Sequence, residues 1–296
     1  MKKLLIEALE TRNPQPETII MLSLSEKLLL TETAVAKGIK VFWVEHDRVG
    51  AWLRKNPWLP RLRRLSKTVT TVCVSKLSKN IYVDLGWDPG KIVVIPNGVE
   101  LTRSAGAPLP SPPPVGGEGG SPSVLRLGCV ARLSPEKGVD LLIKAVADLD
   151  DVSLTIIGTG PEQSFLQQLI NQPTNQPVNL IPRVADLSSF YRSIDVLILP
   201  SRDNDPFGLV IAEAMACGTP VVVTDQCGIA GYLKDGTDAV IVEAGSVGAL
   251  KQGIARMQNP DLRKRLSEAG KITASEKFSV ETMIANYERL LTASSY

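Results

Sequence analysis

Residues 194–224 read IDVLILPSRDNDPFGLVIAEAMACGTPVVVT, and this stretch decides the fold class. IDVLILP is a short apolar run closed by Pro200, SRDND is a polar loop, and LVIAEAMACG is helix-like up to Gly218, a residue suited to the position just past a helix end. TPVVVT then opens a second apolar run. Strands that are apolar on both faces and joined through a helix belong in a parallel sheet covered by helices on both sides. Working outward, the same rhythm continues in VLRLGCVA (124–131), GVDLLIKAVADL (138–149), VSLTIIG (152–158), a helix from Pro161, VNLIP (178–182) and DAVIV (238–242). Towards the N-terminus it recurs in TIIML (18–22), KVFWV (40–44), TVTTVCV (68–74) and KIVVIP (91–96).

Between the two series, residues 102–122 hold six prolines and five glycines in 21 positions, a composition that builds neither helix nor strand ladder. The expectation is α/β: two Rossmann-like, doubly wound domains facing each other across a cleft. Residues 1–101 form the first, 102–122 the linker and 123–278 the second. A terminal helix at 279–296 has apolar positions at helical spacing that could cross back to the first domain. The first domain shows only about four strands, so it is expected to be incomplete at its start. Exposed strand edges left there would suit a second chain or self-association.

Composition narrows the class. With 44% hydrophobic and 22% charged residues in 296, the chain is an ordinary globular protein. No apolar run reaches the length of a membrane span, and Glu7 and Glu10 interrupt the N-terminal run in a way unlike a secretory signal. A cytoplasmic location is expected, with the four scattered cysteines reduced and mostly buried. The near balance of 33 basic and 31 acidic residues conceals a segment, 48–83, with nine basic side chains and no acidic one. Trp43, Trp52 and Trp58 lie beside or within it, interleaved with leucines. That mixture suits an anionic membrane surface at the inner face, and equally a solvated helix whose Trp and Leu point inward. Without a recognisable binding motif, nucleic acid is not expected as a partner.

Three strand-to-helix junctions should share the carboxyl edge of the second sheet, where open α/β sheets bind ligands. Arg132-Leu133-Ser134-Pro135-Glu136-Lys137-Gly138 sets two cations beside a helix start, which is a phosphate site in physical terms. Gly158-Thr159-Gly160-Pro161 permits close backbone approach, but read alone it is a weak signal and a tight turn is the default. In the third junction the amides of Phe207, Gly208, Leu209 and Val210 would form an anion site. Glu213, about 6 Å further along the helix at 1.5 Å per residue, would suit a pair of sugar hydroxyls. Apolar neighbours surround this acid, so it should have a partner. Asp203-Asn204-Asp205 also matches a short D-x-D pattern able to hold Mg²⁺ or Mn²⁺, though such tripeptides are frequent in loops.

Together these junctions resemble the donor half of the retaining family 4 glycosyltransferases of GT-B fold, and Ile95-Pro96-Asn97-Gly98-Val99 resembles the end of that family's first domain. The resemblance implies that Arg132 and Lys137 hold the diphosphate of a UDP- or GDP-linked sugar and that Glu213 holds its ribose. It places Gly158, Gly160 and Arg183 near the base, and sets Phe207, Gly208, Leu209 and Val210 against sugar and phosphates. Asp205 stands where the family has a longer glutamate. His46, after a strand of the first domain, would hydrogen-bond the donor sugar or orient the acceptor, although a lone histidine is often structural. The implied reaction is retaining sugar transfer to a glycan or lipid-linked acceptor, with no metal or other cofactor. A nucleotide-sugar-binding subunit that needs a partner chain is the alternative.

Overall fold

The computed structural model describes residues 16–49, 51–100, 124–172 and 176–292. The chain divides into two compact units, one ending at Pro96 and the other beginning at Asn97. The Pro/Gly-rich stretch expected as a linker lies outside the described residues.

The first unit is a parallel sheet of β1 (Thr18–Met21), β2 (Lys40–Glu45), β3 (Thr70–Cys73) and β4 (Ile92–Val94), paired in sequence order. Helix α1 (Leu24–Ala36) returns the chain from β1 to β2 and starts at a capping box. There the Ser23 hydroxyl accepts from the Glu26 amide at 3.2 Å, and the Glu26 carboxylate accepts from the Ser23 amide at 3.0 Å. Helices α2 (Ala51–Arg54) and α3 (Leu59–Ser66) fill the next crossover, and α4 (Lys76–Asp84) the last. Trp43 is fully buried, donating its indole N–H to the Thr31 hydroxyl at 3.1 Å and packing near Trp87. At the end of β2, buried Glu45 takes the Lys27 ammonium at 2.9 Å and the Tyr82 hydroxyl at 2.7 Å.

The basic segment divides in a way its composition could not show. Leu53, Leu59, Leu62 and Leu65 all point into the core, whereas Trp52 and Trp58 are 54% and 52% exposed. Trp43 is a core residue of β2 and does not belong to the surface with which the sequence groups it.

The second unit holds β5 (Leu125–Val130), β6 (Val152–Ile157), β7 (Val178–Ile181), β8 (Val196–Leu199), β9 (Val221–Thr224) and β10 (Val240–Val242). All pair in parallel, in the order β10-β9-β8-β5-β6-β7. Successive crossovers therefore run outward in opposite directions from the β5/β8 boundary, which makes that boundary the switch point of a doubly wound sheet. The connecting helices are α5 (Val139–Ala147), α6 (Gln163–Ile170), α7 (Leu187–Ser193) and α8 (Leu209–Cys217), and α9 (Val247–Arg256) follows β10. At the amino edge of the switch point, Asp195 clips β5 to β8. It accepts from the Arg126 backbone amide at 2.8 Å and from the guanidinium at 2.9–3.0 Å. Burial pushes the Asp195 carboxyl up, but Arg126 outweighs it and leaves the group below its ordinary value.

Two helices close the unit: α10 (Pro260–Phe278), which periodicity did not single out, and α11 (Val280–Thr292). Between them Ser279 bridges to Val99, with Val99 donating to the Phe278 carbonyl at 2.7 Å. The first residues of the second unit are thus tied to the junction of its last two helices. None of the described helices is long and apolar enough to cross a membrane.

Candidate functional site

A cleft of about 1090 Å³ opens at the carboxyl ends of the second sheet. Arg132 from the loop after β5, Gly158 and Gly160 after β6, Arg183 after β7, and Leu209, Val210 and Glu213 of α8 all line it. The sequence thus placed seven of its site residues on one surface, and the switch point supplies the physical reason.

The loops are stitched to one another. Gly158 has φ 154°, and a Cβ there would collide with the Ala131 carbonyl oxygen, as one at Gly160 would with that of Leu133. The β6 loop therefore lies flat on the β5 loop, with the Leu133 amide donating to the Thr159 carbonyl at 2.9 Å. On the other side, a short turn over Pro135–Lys137 ends in left-handed Gly138, where a side chain would strike the Pro200 carbonyl. The Arg202 amide donates to the Glu136 carbonyl at 2.8 Å, and its guanidinium grips both oxygens of Asp140 at 2.8 and 2.9 Å.

This stitching brings Lys137 to Asp205 rather than to the cleft wall. The ammonium lies 2.5 Å from Asp205 Oδ2, which also accepts from the Ser201 hydroxyl at 3.1 Å. Asp205 is 5% exposed and its main chain is held by Gln226 and Gly228. Its carboxylate is committed to a cation and a hydroxyl, an arrangement unlike an open D-x-D ligand pair. The described residues contain no cluster of three or more His, Cys, Asp or Glu placed to hold a metal ion.

Helix α8 begins at Gly208, φ 91°, with no side chain capping its first turn. Its N-terminal amides are left to solvent or to an anion, and the Leu209 side chain beside them is 42% exposed. Phe207 and Gly208 do not line the cleft. The Phe207 ring packs edge-on against Phe278 and Tyr232 at 5.6 and 6.4 Å, which anchors the helix start from behind.

The partner that Glu213 required is Tyr191 of α7, whose hydroxyl donates to Glu213 Oε2 at 2.6 Å. Sequence reasoning did not identify Tyr191, and its only signal was the demand for a partner. His46 lies in the first unit, just past the carboxyl end of β2, with its side chain 44% exposed and Nε2 3.9 Å from Asp47. Of the cysteines, Cys73, Cys129 and Cys227 are buried and Cys217 is half-buried.

The geometry defines a doubly wound α/β protein with a cleft at a sheet switch point, lined by a guanidinium, glycine turns and the start of a helix that no side chain caps. Comparison with known proteins extends this. Residues 124–273 match the profile of glycosyl transferases group 1, and residues 21–103 match that of glycosyltransferase family 4. The lipopolysaccharide core biosynthesis glycosyltransferase LpsE of Rhizobium meliloti is 32% identical over 79% of this chain and 67% of its own length. The phosphatidyl-myo-inositol mannosyltransferase of Mycobacterium leprae is 33% identical over 69% of this chain and 54% of its own. The chain spans about half the length of most such curated relatives. The solved structure of Anabaena HepE in complex with UDP superposes with a TM-score of 0.80 at 20% identity, over 99% of this chain and 82% of that one. Sucrose-phosphate synthase from Thermosynechococcus elongatus superposes at 0.77 and 19%, over 97% and 77%. The chain belongs to the glycosyl transferases group 1 family and has a GT-B-like fold.

Proposed function

We propose that this chain transfers a sugar from a nucleoside-diphosphate sugar to an acceptor hydroxyl, with retention of configuration and without a metal ion. The observation that carries the proposal is the composition of the cleft: a guanidinium, a flat glycine-lined floor, uncapped helix amides and a held carboxylate converge on one volume. A nucleoside diphosphate has matching chemistry. Its phosphates would meet Arg132 and the α8 amides, its ribose hydroxyls Glu213, and its base the side of the cleft bearing Gly158, Gly160 and Arg183. Lys137 enters as a pair with Asp205, since an ammonium has three donors and one serves Asp205.

Breaking the bond from the sugar carbon to phosphate oxygen leaves negative charge on the departing diphosphate and positive charge on the carbon. Arg132, Lys137 and the helix amides would stabilise the first of these. The acceptor oxygen attacks from the same face and its proton passes to the leaving phosphate oxygen, so the step balances without a metal. His46 would orient the acceptor or hydrogen-bond the donor sugar. The acceptor is a glycan or lipid-linked hydroxyl, consistent with what the relatives' names say of those proteins. The exposed Trp52 and Trp58, with Arg54, Lys55 and Lys67 exposed in the same segment, favour docking of the first unit on an anionic membrane surface.

The test is transfer from sugar nucleotides to acceptor glycans or glycolipids in EDTA, with the product's anomeric configuration read by NMR. Retained configuration is expected. His46→Ala should keep donor affinity within about twofold and lose at least tenfold in rate, ~1.4 kcal/mol of barrier. Inverted product or an absolute metal requirement contradicts the mechanism, and equal turnover returns His46 to a structural role.

A further inference from the structure

Glu213 leaves α8 between Ala212 and Ala214, both fully buried, and reaches the cleft. A flexible glutamate loses side-chain entropy on binding unless the protein already holds it. Tyr191 holds it, at a separation typical of an O–H donor on a charged oxygen. The phenol is itself fixed. It is 1% exposed, its ring centroid lies 6.2 Å from that of Phe190, and its carbonyl receives the Thr219 hydroxyl at 2.7 Å. Burial, reinforced by the Glu213 charge, pushes its pKa upward, so it remains a donor. A carboxylate accepts at about four lone-pair sites. One is committed to Tyr191, and Glu213 lines the cleft with others in reserve for hydroxyl donors.

We infer that Tyr191 is a specificity-determining positioning residue: by holding Glu213 through Oε2 it presents the carboxylate to the vicinal hydroxyls of a ribose, and thereby selects ribonucleoside over 2′-deoxyribonucleoside diphosphates. The inference rests on the reading of the cleft as a nucleotide-sugar site. Tyr191 acts through Glu213, so the two should be coupled. A merely structural tie between α7 and α8 would weaken every nucleotide alike.

The experiment is equilibrium binding of UDP and 2′-deoxy-UDP, with the GDP and ADP pairs in parallel, to the full chain. Wild type, Tyr191→Phe, Glu213→Ala and the double variant are compared. The wild type should prefer the ribose form roughly tenfold or more, as expected for a hydrogen bond to a charged group. Tyr191→Phe should cut that preference to a third or less, through weaker UDP binding with deoxy affinity nearly unchanged. The double variant should match Glu213→Ala. Equal weakening of both ligands by Tyr191→Phe, an unchanged preference, or further loss in the double variant would overturn the inference. If Tyr191→Phe does not fold, Glu213→Asp, too short to span phenol and ribose, should show the same loss of preference, and an unchanged preference there overturns it too. Absence of binding by all six nucleotides to the wild type would instead overturn the reading of the cleft on which the inference rests.

Discussion

Lys137 and Asp205 answer each other in a nearly dry setting, and that changes what their substitution should do. Removing the lysine leaves a carboxylate that is 5% exposed without its cation, and an orphaned buried charge destabilises strongly. Lys137→Ala is therefore expected to lower both donor affinity and thermal stability, the latter by roughly 3–5 kcal/mol. Lys137→Met with Asp205→Asn should recover most of the stability but not the affinity. Glu213→Ala should weaken nucleotide binding about tenfold or more and shift the unfolding temperature little. Calorimetric titration and thermal unfolding of the four proteins check this, and unchanged affinity in both Glu213→Ala and Lys137→Ala would refute the donor-site assignment. At this scale the sequence showed which residues share the cleft where their place after a strand end or in the first turns of a helix carried the meaning, as for Arg132 and Glu213. It was not readable where tertiary packing chose the partner, as for Tyr191 with Glu213 and Lys137 with Asp205, which lie 22 and 68 residues apart in the chain.

Among the elements, the strands were legible because parallel strands buried on both faces leave near-continuous apolar runs. Each strand-like run quoted from the sequence overlaps one of the ten strands among the described residues, β2 extending one residue past its run to Glu45. Helix α7 escaped because its start signal is a single Asp186, which accepts from the amides of Ser188 and Ser189 at 2.9 and 3.1 Å. Helix α10 escaped because its charged residues dominate its pattern while only a few, such as Leu266, Ala274 and Phe278, are buried. The α2–α3 segment shows what a charge run withholds. Composition supplies Trp, Leu and Arg together, but only the fold shows the leucines turned inward and Trp52 and Trp58 outward. Glu32 pairs with Arg61 and Arg64 at 2.7 and 2.9 Å, while Arg54, Lys55 and Lys67 are exposed in the same segment as the tryptophans. If this face meets an anionic bilayer, each added basic contact contributes about 1 kcal/mol. Binding to phosphatidylserine vesicles should then fall steeply between low and physiological salt. The double variant Trp52→Ala/Trp58→Ala should weaken it about tenfold or more, and salt-independent or absent binding in a flotation assay would refute the docking face.

For the whole molecule, the central proposal is that the cleft at the β5/β8 switch point binds a nucleoside diphosphate. The topology supplies the crevice, the glycines its flat floor, and α8 both the uncapped amides and the carboxylate one turn below. The measurement that tests this most directly is thermal unfolding with UDP, GDP and ADP, each with Mg²⁺ and with EDTA, in wild type and Glu213→Ala. A ligand at 100 times its dissociation constant adds about 2.7 kcal/mol, which is several degrees in a protein of this size. Such a rise is expected with one of the three nucleotides, undiminished in EDTA and much reduced in Glu213→Ala. No rise with any of them, or an equal rise in Glu213→Ala, would contradict it.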